Sequence, residues 1–283
     1  MKKYKALLIK DFQINKKTLM TPIWITAGFY LLIILSVAIA FFKGDLNLID
    51  LRFDDIDIRI PSLIFMINMG ILSLPGLIAL LFTITITQSS LNEDLRRNCE
   101  LFHRSQPVSF WLRALSKYTV GIGGNWAVLF ILAVFNYLVV NIILAFLGQF
   151  NLSASVTGLL LAFLVFAKIS LLIGSITFFL SAVFKDKAFF TGAGILLGVQ
   201  FLFLILNALL GWKLPLPIDY LLGLIKFNSG LNYENNLNIL EYREVVADFW
   251  KVGVWNLKSL LQILVSGMFF AAAALIYNNR EVK

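Results

Sequence analysis

The chain has 283 residues, of which 59% are hydrophobic and 14% charged, and its mean hydropathy is +0.85. These values exclude a soluble globular domain and predict a polytopic membrane protein. One histidine and one cysteine cannot supply a zinc site or an intramolecular disulfide.

The first 21 residues predict an amphipathic helix. Apolar side chains recur there at helical spacing among six lysines, Lys2, Lys3, Lys5, Lys10, Lys16 and Lys17. This pattern is typical of an interfacial helix attracted to anionic lipid. A basic flank that only fixes orientation would look the same, and both alternatives place this end in the cytosol.

Six apolar runs are long enough to cross ~30 Å of hydrocarbon, which takes roughly 20 residues. We place them at residues 23–42, 63–87, 118–147, 157–183, 188–211 and 256–277. Pro75 and Gly76 predict a kink in the second run. Gly121 and Gly124, and Gly194 and Gly198, have spacings that favour close helix packing, although glycine is also simply common in membrane helices.

The polar interval 88–117 separates the second and third runs. Leu91, Leu95 and Phe102 fall on one face of a predicted short helix, which Pro107 should end at the preceding residues. Ser109 is then a simple N-cap for a helix that begins at Phe110. We therefore predict a helix across the end of the bundle, followed by a sharp turn into the third span.

The largest extracytosolic segment is residues 212–255. Within it, residues 216–227 are apolar but too few to span, which predicts a re-entrant or interfacial helix. Residues 239–252 have an amphipathic helical pattern, and we expect this helix to cap the bundle on the outside. The chain is predicted to be a single domain.

The basic residues fall on alternate sides of the predicted spans. Fifteen lysines and arginines lie in the N-terminal segment, residues 88–117, the 184–187 turn and the C-terminal tail, against eight on the other side. The positive-inside rule places both termini and the 88–117 loop in the cytosol, which requires an even number of spans. The net charge of +8 thus reflects membrane orientation, and we expect no nucleic-acid partner.

Lys168 lies near the middle of the fourth predicted span. A charge there costs several kcal/mol, so its side chain should face the bundle interior, a cavity or a partner chain. It contacts substrate or another subunit, or it is hydrogen-bonded to carbonyls and side chains, such as those of Asn136 or Asn141, without a transport role. None of the six runs contains Asp or Glu. This absence argues against ion-driven secondary transport, which usually needs intramembrane carboxylates.

The 88–117 interval resembles the first cytosolic loop of exporter permeases, the membrane-spanning subunits of type-2 ABC transporters. That loop has an acidic residue, a short helix with Leu and Phe, a Pro-Val-Ser-like turn and a lysine entering the next span. The matching residues are Glu93-Asp94, Leu101-Phe102, Pro107-Val108-Ser109 and Lys117. The N-terminal segment is similar to the connecting helix of this family. A departure is Arg97-Asn98, which stands where the family usually has Gly-Thr.

The resemblance implies an all-α fold of six spans with a cytosolic coupling helix between spans 2 and 3. Two such subunits, identical or different, would each seat this helix in a separate ATPase subunit. The implied contacts are Glu93, Asp94, Arg96, Arg97, Glu100, Leu101, Phe102, His103, Arg104 and Ser105. No Walker A sequence occurs in the chain, so ATP and Mg²⁺ would be bound by the partner and this subunit would need no cofactor. The implied location is the bacterial cytoplasmic membrane.

Two other classes of protein compete with this interpretation. A membrane scaffold or assembly factor would have no ATPase partner and would tolerate charge reversal at Arg96, Arg97 and Glu100. An integral-membrane enzyme would need polar catalytic groups at one depth, and Lys168 has no such companions. Cys99 and His103 have the spacing of a thiol–imidazole pair, but two docking residues are favoured because no third orienting group is evident. Substrate and transport direction stay open.

Overall fold

A computed structural model describes residues 2–43, 60–93, 108–146, 148–184, 187–225 and 242–279. All regular secondary structure in these ranges is helical, which confirms the all-α prediction. The elements are α1 (Lys2–Phe42), α2 (Ile60–Ile71), α3 (Ser73–Ser90), α4 (Phe110–Tyr118), a π-helical turn (Thr119–Gly123), α5 (Gly124–Phe146), α6 (Leu152–Val183), α7 (Ala188–Leu210), α8 (Pro217–Ile225), α9 (Tyr242–Gly253) and α10 (Leu257–Asn279).

Six helical stretches are long and apolar enough to cross a bilayer, as predicted. They are Lys3–Ala40, Pro61–Ser90, Phe110–Phe146, Leu152–Val183, Ala188–Leu210 and Tyr242–Asn279. The second combines α2 with α3, the third runs from α4 through α5, and the sixth combines α9 with α10. The α6 helix is central to the bundle because it packs against α2, α3 and α10.

The α1 helix joins the predicted N-terminal amphipathic segment and the first span into one continuous element, with Pro22 inside it. The Tyr4 hydroxyl hydrogen-bonds to Thr119 at 2.9 Å, and Leu19 packs against Gly124. Tyr4 and Leu19 are about 22 Å apart along a helix, whereas Thr119 and Gly124 are separated by about 8 Å. The N-terminal half of α1 therefore crosses the third span at an angle.

The second span is interrupted between Ile71 and Ser73. Proline has no N–H, so Pro75 cannot donate the helical hydrogen bond to the carbonyl of Ile71. The next residue, Gly76, donates its N–H to the carbonyl of Leu72 at 2.8 Å. The kink predicted from Pro75 and Gly76 is thus a break one turn earlier in the chain.

Close helix packing occurs at one of the two expected glycine pairs: a Cβ atom at Gly121 would lie 3.0 Å from the Thr87 side chain, and one at Gly124 would lie 3.1 Å from the Leu19 side chain. A Cβ atom at Gly194 or Gly198 would have no described atom within 4 Å, so the expected close packing there is wrong for the described chain. At Gly158 a Cβ would lie 2.6 Å from the carbonyl oxygen of Phe65, which brings α6 directly onto the backbone of α2. The difference arises because Ala188 is the one buried residue of α7.

The α8 helix confirms the predicted helix within residues 216–227. It lies beside the middle of α7, because the N–H of Ile218 donates to the side-chain oxygen of Gln200 at 3.1 Å. At its other end, Gln262 of α10 donates to the carbonyl of Leu224 at 2.6 Å. Asn207 makes two hydrogen bonds with the backbone of Leu214. Side-chain amides from two spans thus bind backbone groups at both ends of α8 and in the segment that precedes it.

The α9 helix confirms the amphipathic pattern, but it does not lie across the outer end of the bundle. The Tyr242 hydroxyl hydrogen-bonds to Thr157 at 2.8 Å, and the carbonyl of Gly253 accepts from Lys168. Thus α9 runs along the side of α6 and continues into α10. The reason is its apolar face, on which Val245 and Phe249 are buried in a cluster with residues of α2, α5 and α6.

Candidate functional site

Of the residues predicted to contact an ATPase subunit, Glu93 is the one that lies within the described part of the chain. Glu93 is half-buried at the end of the second span. The other predicted contacts lie outside the described residues: Asp94, Arg96, Arg97, Glu100, Leu101, Phe102, His103, Arg104 and Ser105. What the structure shows is the frame that holds the two ends of residues 94–107, which we call the loop frame.

On the N-terminal side of residues 94–107, Asn92 holds the loop frame together. Its side-chain amide is buried and donates to the carbonyls of Ser181 and Phe184, at 3.0 Å each. Carbonyls at the end of a helix have no partner within the helix, so this side chain satisfies two groups at the end of α6. Asn92 therefore ties the end of the second span to the end of the fourth.

On the C-terminal side of residues 94–107, a helix cap and a buried ion pair hold the loop frame together. Ser109 accepts a hydrogen bond from the N–H of Leu112, which confirms the predicted cap and the start of a helix at Phe110. One turn on, Ser116 donates to Asp11 Oδ2 at 2.5 Å, and Lys117 Nζ lies 3.7 Å from Asp11 Oδ1. These contacts tie the third span to α1.

Asp11 was not among the predicted site residues. It lies in a lysine-rich segment, where a charged residue is normally expected to face water or headgroups. It is the one acidic residue among the first 21, and that isolation was the available signal.

A cluster of buried residues completes the loop frame: Leu91, Ala114, Phe178, Ala182, Ala273, Ala274 and Tyr277. It joins the ends of α3, α6 and α10 to the start of α4. The N-terminal half of α1, docked through Asp11, lies at the same end of the bundle. The described residues that flank 94–107 thus lie among parts of five of the six candidate spans.

Lys168 forms a second site at the break between α9 and α10. Its ammonium group donates to the carbonyl of Gly253 and to the Ser259 hydroxyl, the latter at 2.6 Å. The Gly253 carbonyl ends α9, and a cation is favourable at the negative end of a helix dipole. A carbonyl and a side chain thus bind Lys168, as one alternative expected, but Asn136 and Asn141 are not its partners. Asn136 instead accepts from Tyr30, and Asn141 bonds to Asn68 and Ser155.

No family model, curated protein or solved structure matches this chain. Function is therefore inferred from the contacts at the loop frame and at Lys168, together with the resemblance of residues 88–117 to an exporter permease loop.

Proposed function

We propose that the chain is the permease subunit of an ATP-binding-cassette exporter in a bacterial cytoplasmic membrane. It pairs with a second permease subunit and couples to separate ATPase subunits, which bind ATP and Mg²⁺. The main support for this proposal is that the chain is anchored in the loop frame on both sides of residues 94–107, by Asn92 on one side and by Ser109 to Lys117 on the other.

Such anchoring is what a coupling helix requires. A helix seated in an ATPase cleft would move α3 and α4 together when the cleft closes. Because Asn92 ties α3 to α6 and Asp11 ties α4 to α1, the displacement would reach four spans as a unit. Packed interiors transmit strain, and packed interfaces switch between discrete arrangements.

The composition of the spans supports an external energy source. The six apolar runs contain no Asp or Glu, the usual ligands of a coupling ion in secondary transporters. The position of α8 beside the middle of α7, with its ends bonded to Gln200 and Gln262, supports a re-entrant segment, since the unpaired backbone groups at the ends of a helix at membrane depth must be satisfied by protein groups.

Co-purification tests this proposal. The tagged protein would be purified in mild detergent from membranes in which its genomic neighbours are expressed, as wild type and with Arg96→Glu and Arg97→Glu. A matched control reverses Arg243 and Lys251, two charges on α9 that lie away from the loop frame. We expect wild type and control to retain a stoichiometric ATPase chain, and the loop variant to lose it while keeping the wild-type melting temperature.

Two results of the co-purification would contradict the proposal. Recovery of no nucleotide-binding partner, or equal retention by the loop variant, contradicts the permease assignment. Either result favours a scaffold or assembly factor that does not transport.

A further inference from the structure

A small cavity opens at the junction of α6, α8, α9 and α10, beside Lys168. Its volume is about 30 Å³, room for about two water-sized groups. Aliphatic side chains of α6, α8 and α9 form one wall. The other wall carries polar groups of Lys168, Gly253, Asn256, Lys258, Ser259 and Gln262.

The hydrogen bonds around Lys168 leave one of its donors unused. An ammonium group has three N–H donors, and two of them go to Gly253 and Ser259. Ser259 donates its own proton to Asn256 Oδ1 at 3.0 Å, and the Asn256 amide donates to Val252. These neighbours satisfy one another, so the third N–H of Lys168 has no acceptor among the described residues.

Gln262 contributes an unused acceptor to the same cavity. Its Nε2 donates to the carbonyl of Leu224, and this bond fixes the amide orientation because a carbonyl can only accept. Its Oε1 is buried and has no hydrogen-bond partner among the described residues, and the side chain is 5% exposed. A buried unsatisfied acceptor is costly unless a ligand or water donates to it.

The charge of the lining favours an anion. Two lysines, Lys168 and Lys258, line the cavity, and no acidic residue of the described chain does. Lys258 is exposed, and Trp255 beside it is 77% exposed. Because Lys258 both lines the cavity and is exposed, the cavity opens on the surface of the sixth candidate span, where an amphiphile in the membrane has access to it.

We propose that this cavity binds the headgroup of an anionic amphiphile. A phosphate or carboxylate oxygen accepts from Lys168 and Lys258, a headgroup hydroxyl donates to Gln262, and the apolar chain lies along Val165, Leu224 and Ile225. As a substrate site this rests on the proposed permease function, and it names the substrate class as an anionic lipid. As a binding site it stands without it.

Binding of phosphatidylglycerol to the purified protein in neutral detergent tests the proposal, by native mass spectrometry and by the shift in melting temperature. Phosphatidylcholine and inorganic phosphate are the comparison ligands. We expect phosphatidylglycerol to bind at least tenfold more tightly than either. Lys258→Glu should lower that affinity at least tenfold, as should Lys168→Met. The control Lys251→Gln removes an exposed lysine of α9 outside the cavity and should bind like wild type.

Lys168→Met also removes the hydrogen bond to Gly253 and can unfold the junction. The affinity of Lys258→Glu, a change at an exposed residue, therefore decides the test. Equal affinity for phosphatidylglycerol and phosphatidylcholine, or unchanged affinity in Lys258→Glu, overturns the proposal. Inorganic phosphate binding as tightly as phosphatidylglycerol overturns the amphiphile and leaves a free-anion site. The assay contains no ATPase, so its failure is distinguishable from failure of the permease assignment.

Discussion

Asp11 of α1 and Lys117 of α4 form an ion pair with 3.7 Å between Oδ1 and Nζ, and their side chains are 4% and 5% exposed. Two charges are thus removed from solvent at the point where the N-terminal half of α1 crosses the third span. Removing charges from water is unfavourable, so the pair is tolerated only because its partners and the Ser116 hydroxyl compensate each other. It is one of the contacts that position α1 next to the loop frame, together with Tyr4–Thr119.

Asp11→Asn should lower the free energy of unfolding by about 3–5 kcal/mol, because it removes the carboxylate from a buried Lys117 ammonium. Thermal and denaturant unfolding in detergent would measure the loss. Lys10 also lies 3.6 Å from Asp11 but is 28% exposed, so Lys10→Gln should change stability by less than about 1 kcal/mol. Equal effects of the two substitutions would show that the Asp11–Lys117 contact has no special role.

Asn92→Ala should loosen the end of the fourth span. Two terminal carbonyls of α6 lose their donor, which we expect to cost about 1–3 kcal/mol and to speed hydrogen exchange around Phe184. Ser89→Ala is the control, since that hydroxyl bonds only to carbonyls of its own helix. Unchanged exchange in Asn92→Ala would remove the proposed link between α3 and α6.

Gly158→Ala and Gly194→Ala make a matched pair in two membrane helices. The new methyl group at Gly158 would meet the Phe65 carbonyl at 2.6 Å, so α2 and α6 must separate, at about 1–3 kcal/mol. At Gly194 the methyl group meets nothing within 4 Å, and alanine is the better helix former. Melting temperatures should fall for the first and hold or rise for the second. The reverse order would contradict the α2–α6 contact.

Membrane sidedness can be tested by cysteine labelling in a Cys99→Ser background. Phe150, between α5 and α6, is 50% exposed, and Lys16 of α1 is exposed. A membrane-impermeant maleimide should label Phe150→Cys on intact cells, and Lys16→Cys only after permeabilisation, because the positive-inside rule places the N-terminus in the cytosol. The opposite labelling pattern would invert the topology and remove the 94–107 segment from any cytosolic ATPase.

Features set by local sequence were predicted well. The six spans follow from uninterrupted hydrophobicity, the start of α4 from the capping chemistry of Ser109, and the existence of α8 and α9 from apolar length and helical period. Each depends on residues within a few positions of one another.

Pairings across the chain were not predictable in this way. For Lys168 the sequence suggested carbonyls and side chains such as Asn136 or Asn141, but its acceptors lie at a break between α9 and α10 that no periodicity marks. Likewise, the contacts of Asp11 with Ser116 and Lys117, and of Gln200 with Ile218, depend on how the helices pack in three dimensions. A single polar residue carries no sequence signal for its partner.

The first span has one more property that follows from its contacts. The Tyr30 hydroxyl donates to Asn136, and beyond it Leu31, Ile34 and Ile39 are all more than half exposed. An open groove of about 590 Å³ separates this part of α1 from α2, α3 and α5. Because few described residues pack against this part of α1, we expect hydrophobic mismatch with the surrounding lipid to contribute to its tilt. We expect a thinner bilayer to increase the tilt of the helix and a thicker one to decrease it, so the width of the groove should change with bilayer thickness.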